Sequence, residues 1–123
     1  MLEKNKRIEI LHTIIDVLTV EETIERGKRY LDEGCGLHLM GVNADKINML
    51  NENERLRKIV NGCGIINADG ASVVLASKYL KKPLPERVAG IDLMLDLIRL
   101  ASKEHYKVFL LGAKQEIVEK TKT

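Results

Sequence analysis

The 123-residue chain is long enough for one domain with a core and short for an enzyme that must hold two substrates. Its composition, 45% hydrophobic and 31% charged, is that of a globular protein, and an aromatic content of 3% argues against a nucleic-acid stacking platform. The 20 basic and 18 acidic residues leave a net charge of +2, too balanced to call for a polyanionic partner, so no nucleic acid is expected.

In chain order, residues 7–11 and 14–18 read as two short strands. Thr19-Val20-Glu21-Glu22 has the form of a capping box and predicts a helix with Ile24, Gly27 and Leu31 on one face, ending at Gly34. Gly27 weakens that helix by roughly 1 kcal/mol relative to Ala, so a packing reason is expected for it. Residues 37–42 form a short apolar run that reads as a buried strand, after which Asn43 caps the next helix. The helical pattern that follows breaks near Asn51–Asn53, where amide side chains compete for the backbone.

Gly62 and Gly64 lead into Ile65-Ile66, an apolar run ending on Asp69 and Gly70. A helix is expected next over residues 71–80, with Val74, Leu75 and Lys78 at helical spacing. Residues 81–87 hold Pro83 and Pro85 and must be a loop, because proline lacks an N–H and pushes the preceding residue out of the α region. Ile91, Met94, Leu95, Ile98 and Ala101 form an apolar helical stripe, with Asp92 and Asp96 reading as a solvated face. Residues 107–111 read as another buried strand, closed by Gly112 at the start of a last helix.

This alternation predicts an α/β sandwich with a mostly parallel sheet. Asn43, Asp69 and Gly112 each follow a predicted buried strand, so a parallel sheet would gather them at one edge, where ligands bind beside helix N-termini. Gly70 would let the backbone turn sharply or approach a ligand closely. Asp69 itself has two readings: a cap for the helix that starts near Ala71, or a carboxylate placed for chemistry. Gly112-Ala113-Lys114 has neither the dinucleotide fingerprint nor P-loop spacing.

Other chemistries have little support. Cys35 and Cys63 stand beside glycines, apart from any second Cys or His at ligand spacing, and read as small buried hydrophobes in a reducing compartment. His12, His38 and His105 lack ligand-spaced companions, so no metal site is expected, and no Gly-x-Ser-x-Gly elbow is present. Residues 1–7 are charged and residues 8–20 are interrupted by Glu9, His12 and Asp16, unlike a signal peptide. No run approaches the roughly 20 apolar residues of a membrane span, and the expectation is a cytoplasmic protein.

Val42-Asn43-Ala44-Asp45, Ala68-Asp69-Gly70 and Lys82-Pro83-Leu84-Pro85-Glu86-Arg87-Val88-Ala89-Gly90-Ile91-Asp92 occur in an order and spacing that resemble the TagA/WecG/CpsF family, glycosyltransferase family 26. The run from Lys107 to Lys114 continues the likeness, which covers nearly the whole chain from about residue 7. The resemblance implies a Rossmann-like three-layer α/β sandwich, one domain over residues 1–123 that is truncated relative to the family. It implies inverting, metal-independent transfer of an N-acetylmannosamine-type sugar from a UDP-sugar, with no other cofactor. The acceptor implied is undecaprenyl-diphosphate-linked N-acetylglucosamine, met at the inner membrane surface during teichoic-acid or envelope-polysaccharide synthesis.

By the same resemblance Asp69 is the general base, Asn43 orients a sugar hydroxyl, Arg87 binds a diphosphate or the acceptor, and Asp92 supports the sugar, with Gly70 and Gly112 lining the site. Two departures stand out: Gly41 replaces a usual Thr, and Ala68 replaces a frequent Pro. The missing second half motivates an alternative, a non-catalytic domain that binds nucleotide-sugar or acceptor. A third reading is a homo-oligomerising module that covers the apolar sheet edge truncation would leave. The basic residues Lys78, Lys81, Lys82 and Arg87 suggest contact with anionic lipid or, more simply, a solvated helix end.

Overall fold

A computed structural model of the chain describes residues 4–122. Residues 1–3 and 123, which the signal-peptide and domain-range readings touch, lie outside the described residues. The elements run β1 (Arg7–Ile10), β2 (Thr13–Asp16), α1 (Val20–Asp32), β3 (Leu39–Val42), α2 (Ala44–Glu52), α3 (Glu54–Asn61), β4 (Ile65–Ala68), α4 (Ala71–Tyr79), α5 (Gly90–Glu104) and α6 (Gln115–Lys122). The fold is mixed α/β, with six helices and two small sheets among the described residues.

β1 and β2 form an antiparallel hairpin, and Leu11 and His12 between them both have positive φ, the sign pattern of a type I′ turn. β3 and β4 pair in parallel with Leu39 opposite Ile65 and Val42 opposite Ala68. The hairpin is fastened to β4 by a side chain rather than a ladder. Asp16 Oδ2 accepts the Ile66 N–H at 2.7 Å, while Arg7 Nε donates to Asp16 Oδ1 at 2.9 Å. Ile15, Val42, Leu50, Ile65 and Ile66 are fully buried and form the centre of the molecule.

The helix signals act locally and appear where expected. Thr19 Oγ1 accepts the Glu22 N–H at 3.1 Å and Glu22 Oε1 accepts the Thr19 N–H at 3.2 Å, completing the capping box of α1. Asn43 caps α2 through the Lys46 N–H at 2.8 Å, and Asn53 both ends α2 and caps α3 through the Leu56 N–H at 3.0 Å. Gly27 is buried on α1 facing Leu97 of α5.

Other expectations are corrected. The mostly parallel sheet is limited to the β3–β4 pair, and residues 107–111 form no strand. A strand needs a ladder partner, and these residues have none among the described residues; Phe109 is 86% and Leu111 91% exposed. On α5 the buried residues are Leu93 and Ala101, whereas Ile91, Met94, Leu95 and Ile98 of the predicted stripe are exposed. The helix carries apolar residues on two adjoining faces, and contact with α1 selects the Leu93, Leu97 and Ala101 face. On α4 Val73 and Ser77 are buried and Val74 is half-buried against the core, whereas Leu75 and Lys78 are exposed; Ser77 Oγ accepts the Leu84 N–H of the following loop at 3.0 Å. Cys35 is exposed, since it follows the end of α1 on the surface, whereas Cys63 is buried as expected.

Candidate active site

The C-terminal ends of β3 and β4 bring two turns side by side. The Asp69 N–H donates to the Val42 carbonyl at 2.8 Å, carrying the parallel ladder one residue past the strand and placing Asp69 beside the end of β3 and the turn at Asn43. A Cβ on Gly70 would stand 3.4 Å from Cβ of Asn43, so the lack of a side chain lets the two turns approach.

Asp69 does not cap its own helix. α4 has Gly70 at its N-cap and no side-chain cap bond. The Asp69 carboxylate reaches instead to a different helix, where Oδ1 accepts the N–H of Gly90, the first residue of α5, at 3.0 Å. That N–H has no partner within α5, so an acidic oxygen there satisfies it and complements the helix dipole. Oδ2 accepts no hydrogen bond among the described residues. A half-buried carboxylate with one oxygen tied and the other unengaged is suited to taking a proton.

The loop over residues 80–89 is held to this edge at several points. Val88 donates its N–H to the Ala68 carbonyl at 2.8 Å, and Leu84, Val88 and Ala89 are buried. Glu86 Oε1 accepts the Val20 N–H at 2.8 Å. Arg87 lies between these anchors, exposed, with no hydrogen bond or ion pair among the described residues. Its guanidinium is therefore available for a diphosphate or carboxylate.

Asn43 is exposed; its Oδ1 is used in capping α2. Asp92 sits exposed in the first turn of α5, two residues from Gly90. Gly112 does not join the cluster: it has a φ of +134° and borders a separate hollow formed by residues 108–122. The predicted gathering of three turns is thus a gathering of two, because residues 107–111 do not extend the sheet.

Several residues at this edge were not singled out from sequence. Lys46 Nζ donates to the Gly41 carbonyl at 2.7 Å, and buried Asn67 donates through Nδ2 to Thr23 Oγ1 at 3.1 Å. The one available signal was Gly90 itself, a glycine opening a helix directly after a proline-rich loop. A cavity of about 400 Å³ opens between β3, α5 and residues 108–110, lined in part by Met40, Gly41, Asn67, Gly90, Met94 and Phe109. No group of three or more His, Cys, Asp or Glu arranged to hold a metal occurs among the described residues.

The model of the Glycosyl transferase WecG/TagA/CpsF family matches residues 8–123. The chain belongs to this family. Among its relatives is the N-acetylglucosaminyldiphosphoundecaprenol N-acetyl-beta-D-mannosaminyltransferase of Staphylococcus aureus strain NCTC 8325 / PS 47, 34% identical over 115 residues. That match covers 92% of the chain and 45% of the relative. The protein of the same name from strain MRSA252 is 33% identical over 115 residues, with the same coverage. The chain thus spans less than half the length of the WecG/TagA/CpsF relatives it matches. The match contains Asn43, the Asp69 turn and the Arg87 loop, the three parts that meet at the β3–β4 edge. No helix among the described residues is long and apolar enough to cross a membrane.

Proposed function

We propose that this chain carries the base-bearing part of a glycosyltransferase that moves an N-acetylmannosamine-type sugar from a UDP-sugar to undecaprenyl-diphosphate-linked N-acetylglucosamine. The observation that carries the reading is the Asp69 carboxylate, diverted from its own helix and held at the parallel strand ends with Oδ2 unengaged. The acceptor hydroxyl gives its proton to Asp69 as its oxygen bonds to the anomeric carbon, the bond from that carbon to the diphosphate oxygen breaks, and UDP leaves with the electron pair. Attack opposite the leaving group inverts the anomeric centre. Arg87 binds a diphosphate, Asn43 and Asp92 orient sugar hydroxyls, and Gly70 lets the two turns close; no metal or other cofactor is called upon.

The reading includes a peripheral place at the inner face of the membrane, where a polyprenyl-linked acceptor resides. It also takes the β3–β4 pair as the start of a Rossmann-like sandwich in the longer relatives, a view supported by the parallel register and the flanking helices. The test is UDP release from UDP-N-acetylmannosamine with a lipid-linked acceptor analogue. Asp69→Asn is expected to lower the rate by about 100- to 10,000-fold. Unchanged turnover in that variant removes Asp69 from the mechanism.

A second reading is favoured by the exposed apolar residues Ile91, Phe109 and Leu111. It is a domain that binds nucleotide-sugar or acceptor without turnover, or that pairs with a second copy through this face. Saturable binding of UDP with no UDP release, or a concentration-dependent dimer, distinguishes it.

A further inference from the structure

Asp69 is oriented from a direction that its own strand does not dictate. The Gly90 N–H that meets Oδ1 at 3.0 Å is carried on a packed segment rather than a free loop. Val88 is bonded to Ala68, Leu93 donates to the Ala89 carbonyl at 2.9 Å as α5 opens, and Val88 and Ala89 are buried. The donor therefore has a fixed place relative to the end of β4.

The second oxygen is shaped by what is missing around it. A Cβ on Gly90 would stand 3.3 Å from Asp69 Oδ2. A Cβ on Gly41, across on β3, would stand 3.1 Å from Oδ2 and 3.2 Å from Cβ of Asp69. At these distances an added methyl group would have to push the carboxylate aside by a few tenths of an ångström. Neither glycine has a positive φ, so the backbone at 41 and 90 does not ask for glycine; the carboxylate does. Lys46, bonded to the Gly41 carbonyl at 2.7 Å, helps hold the β3 end in place.

We propose that Gly90 is a positioning residue for Asp69, its N–H orienting Oδ1 while the absence of side chains at 90 and 41 keeps Oδ2 open to the attacking hydroxyl. This rests on the glycosyltransferase reading above. It also gives Gly41 a role: with no Cβ there, the Asp69 carboxylate leans over the end of β3.

The test uses the full chain with Gly90→Ala, Gly41→Ala and Asp69→Asn. Gly90→Ala keeps the N–H donor and puts a better helix former in the first turn of α5, so the fold is retained and a dispersed amide spectrum verifies it. In UDP release, Gly90→Ala and Gly41→Ala are expected to lower kcat about 10- to 100-fold. KM for the UDP-sugar should stay within about twofold, since ground-state binding is untouched. In amide NMR, the Gly90 signal is expected to move in both Asp69→Asn and Gly41→Ala, although residue 41 lies on another element. Wild-type kcat in Gly90→Ala, or a Gly90 signal unmoved in both variants, overturns the proposal. A wild-type chain that releases no UDP ends the catalytic reading of this chain, and the Gly90 signal then decides the positioning by itself.

Discussion

The carboxylate of Glu86 accepts the backbone N–H of Val20 at 2.8 Å, which fastens the loop bearing Arg87 to the first turn of α1. Val20 is the first residue of α1, and its N–H has no partner within the helix. Glu86 thus serves two elements at once: it caps α1 and limits where Arg87 can be.

Removing that acceptor has a bounded cost. Glu86→Ala is expected to destabilise the chain by about 1 kcal/mol, the usual range for a helix N-terminal acceptor, and Glu86→Gln by less because it keeps an oxygen there. Urea unfolding measures the cost. Amide exchange across residues 84–90 should quicken in the Ala variant, and unchanged exchange would mean that the loop is held without Glu86.

The Arg7–Asp16 pair predicts a larger effect. The Asp16 side chain is 0% and the Arg7 side chain 32% exposed, and Asp16 also accepts the Ile66 N–H that joins the hairpin to β4. Arg7→Ala leaves a buried carboxylate without its cation and is expected to cost about 3 kcal/mol, the low end of the range because Arg7 is partly solvated. The urea midpoint reads this directly, and a loss under about 0.5 kcal/mol, the range of ordinary surface changes, would show the pair to be dispensable.

Gly27 predicts a gain. The sequence led us to expect a packing reason for it, yet a Cβ there would meet only Leu97 Cδ2, at 3.9 Å, an ordinary contact. Gly27→Ala is therefore expected to stabilise α1 by about 0.5–1 kcal/mol. Thermal unfolding checks the sign, and a lower midpoint would mean that α1 and α5 cannot accommodate the methyl group.

Asp32 joins α1 to the end of α5 and makes that tie sensitive to pH. Lys28 Nζ lies 2.7 Å from Asp32 Oδ2, and the Tyr106 hydroxyl donates to Oδ1 at 2.6 Å. The Lys28 hydrogen bond, then that of Tyr106, holds the Asp32 carboxyl below its ordinary 3.8, and the bond to Asp32 lifts the Tyr106 phenol above its ordinary 10.0. A carboxyl depressed in the folded state stabilises above its unfolded value and loses that contribution as pH falls through the folded value. The raised phenol stabilises below its unfolded value and loses its contribution as pH rises through the folded one. The tie is thus intact across neutral pH. In Asp32→Asn, Tyr106 should ionise at lower pH by ultraviolet difference absorbance; a superimposable titration would show that Asp32 does not control it.

The legible parts of the fold are those whose signals are local. The Thr19–Glu22 capping box, the Asn43 cap and the Asn53 break each depend on residues within three or four positions, and each is found where the pattern put it. The strand at 107–111 failed because an apolar run states only that it can be buried, and its burial needs a partner that is absent among the described residues. The site was partly legible for the same reason: strand ends at Asn43 and Asp69 follow from local runs, and Gly112 depended on the missing ladder.

By itself the sequence determined the short-range grammar of this protein: which stretches become helices, that Thr19 and Asn43 cap two of them, and that Asp69 follows an apolar strand. The tertiary structure decided which of two apolar stripes of α5 faces α1, and which helix the Asp69 carboxylate serves. Burial has no preferred direction along a helix, and a carboxylate can satisfy any free N–H within reach. The path of the chain from Ala68 through the proline loop to Gly90 brings the second helix to Asp69, and no local pattern contains that path.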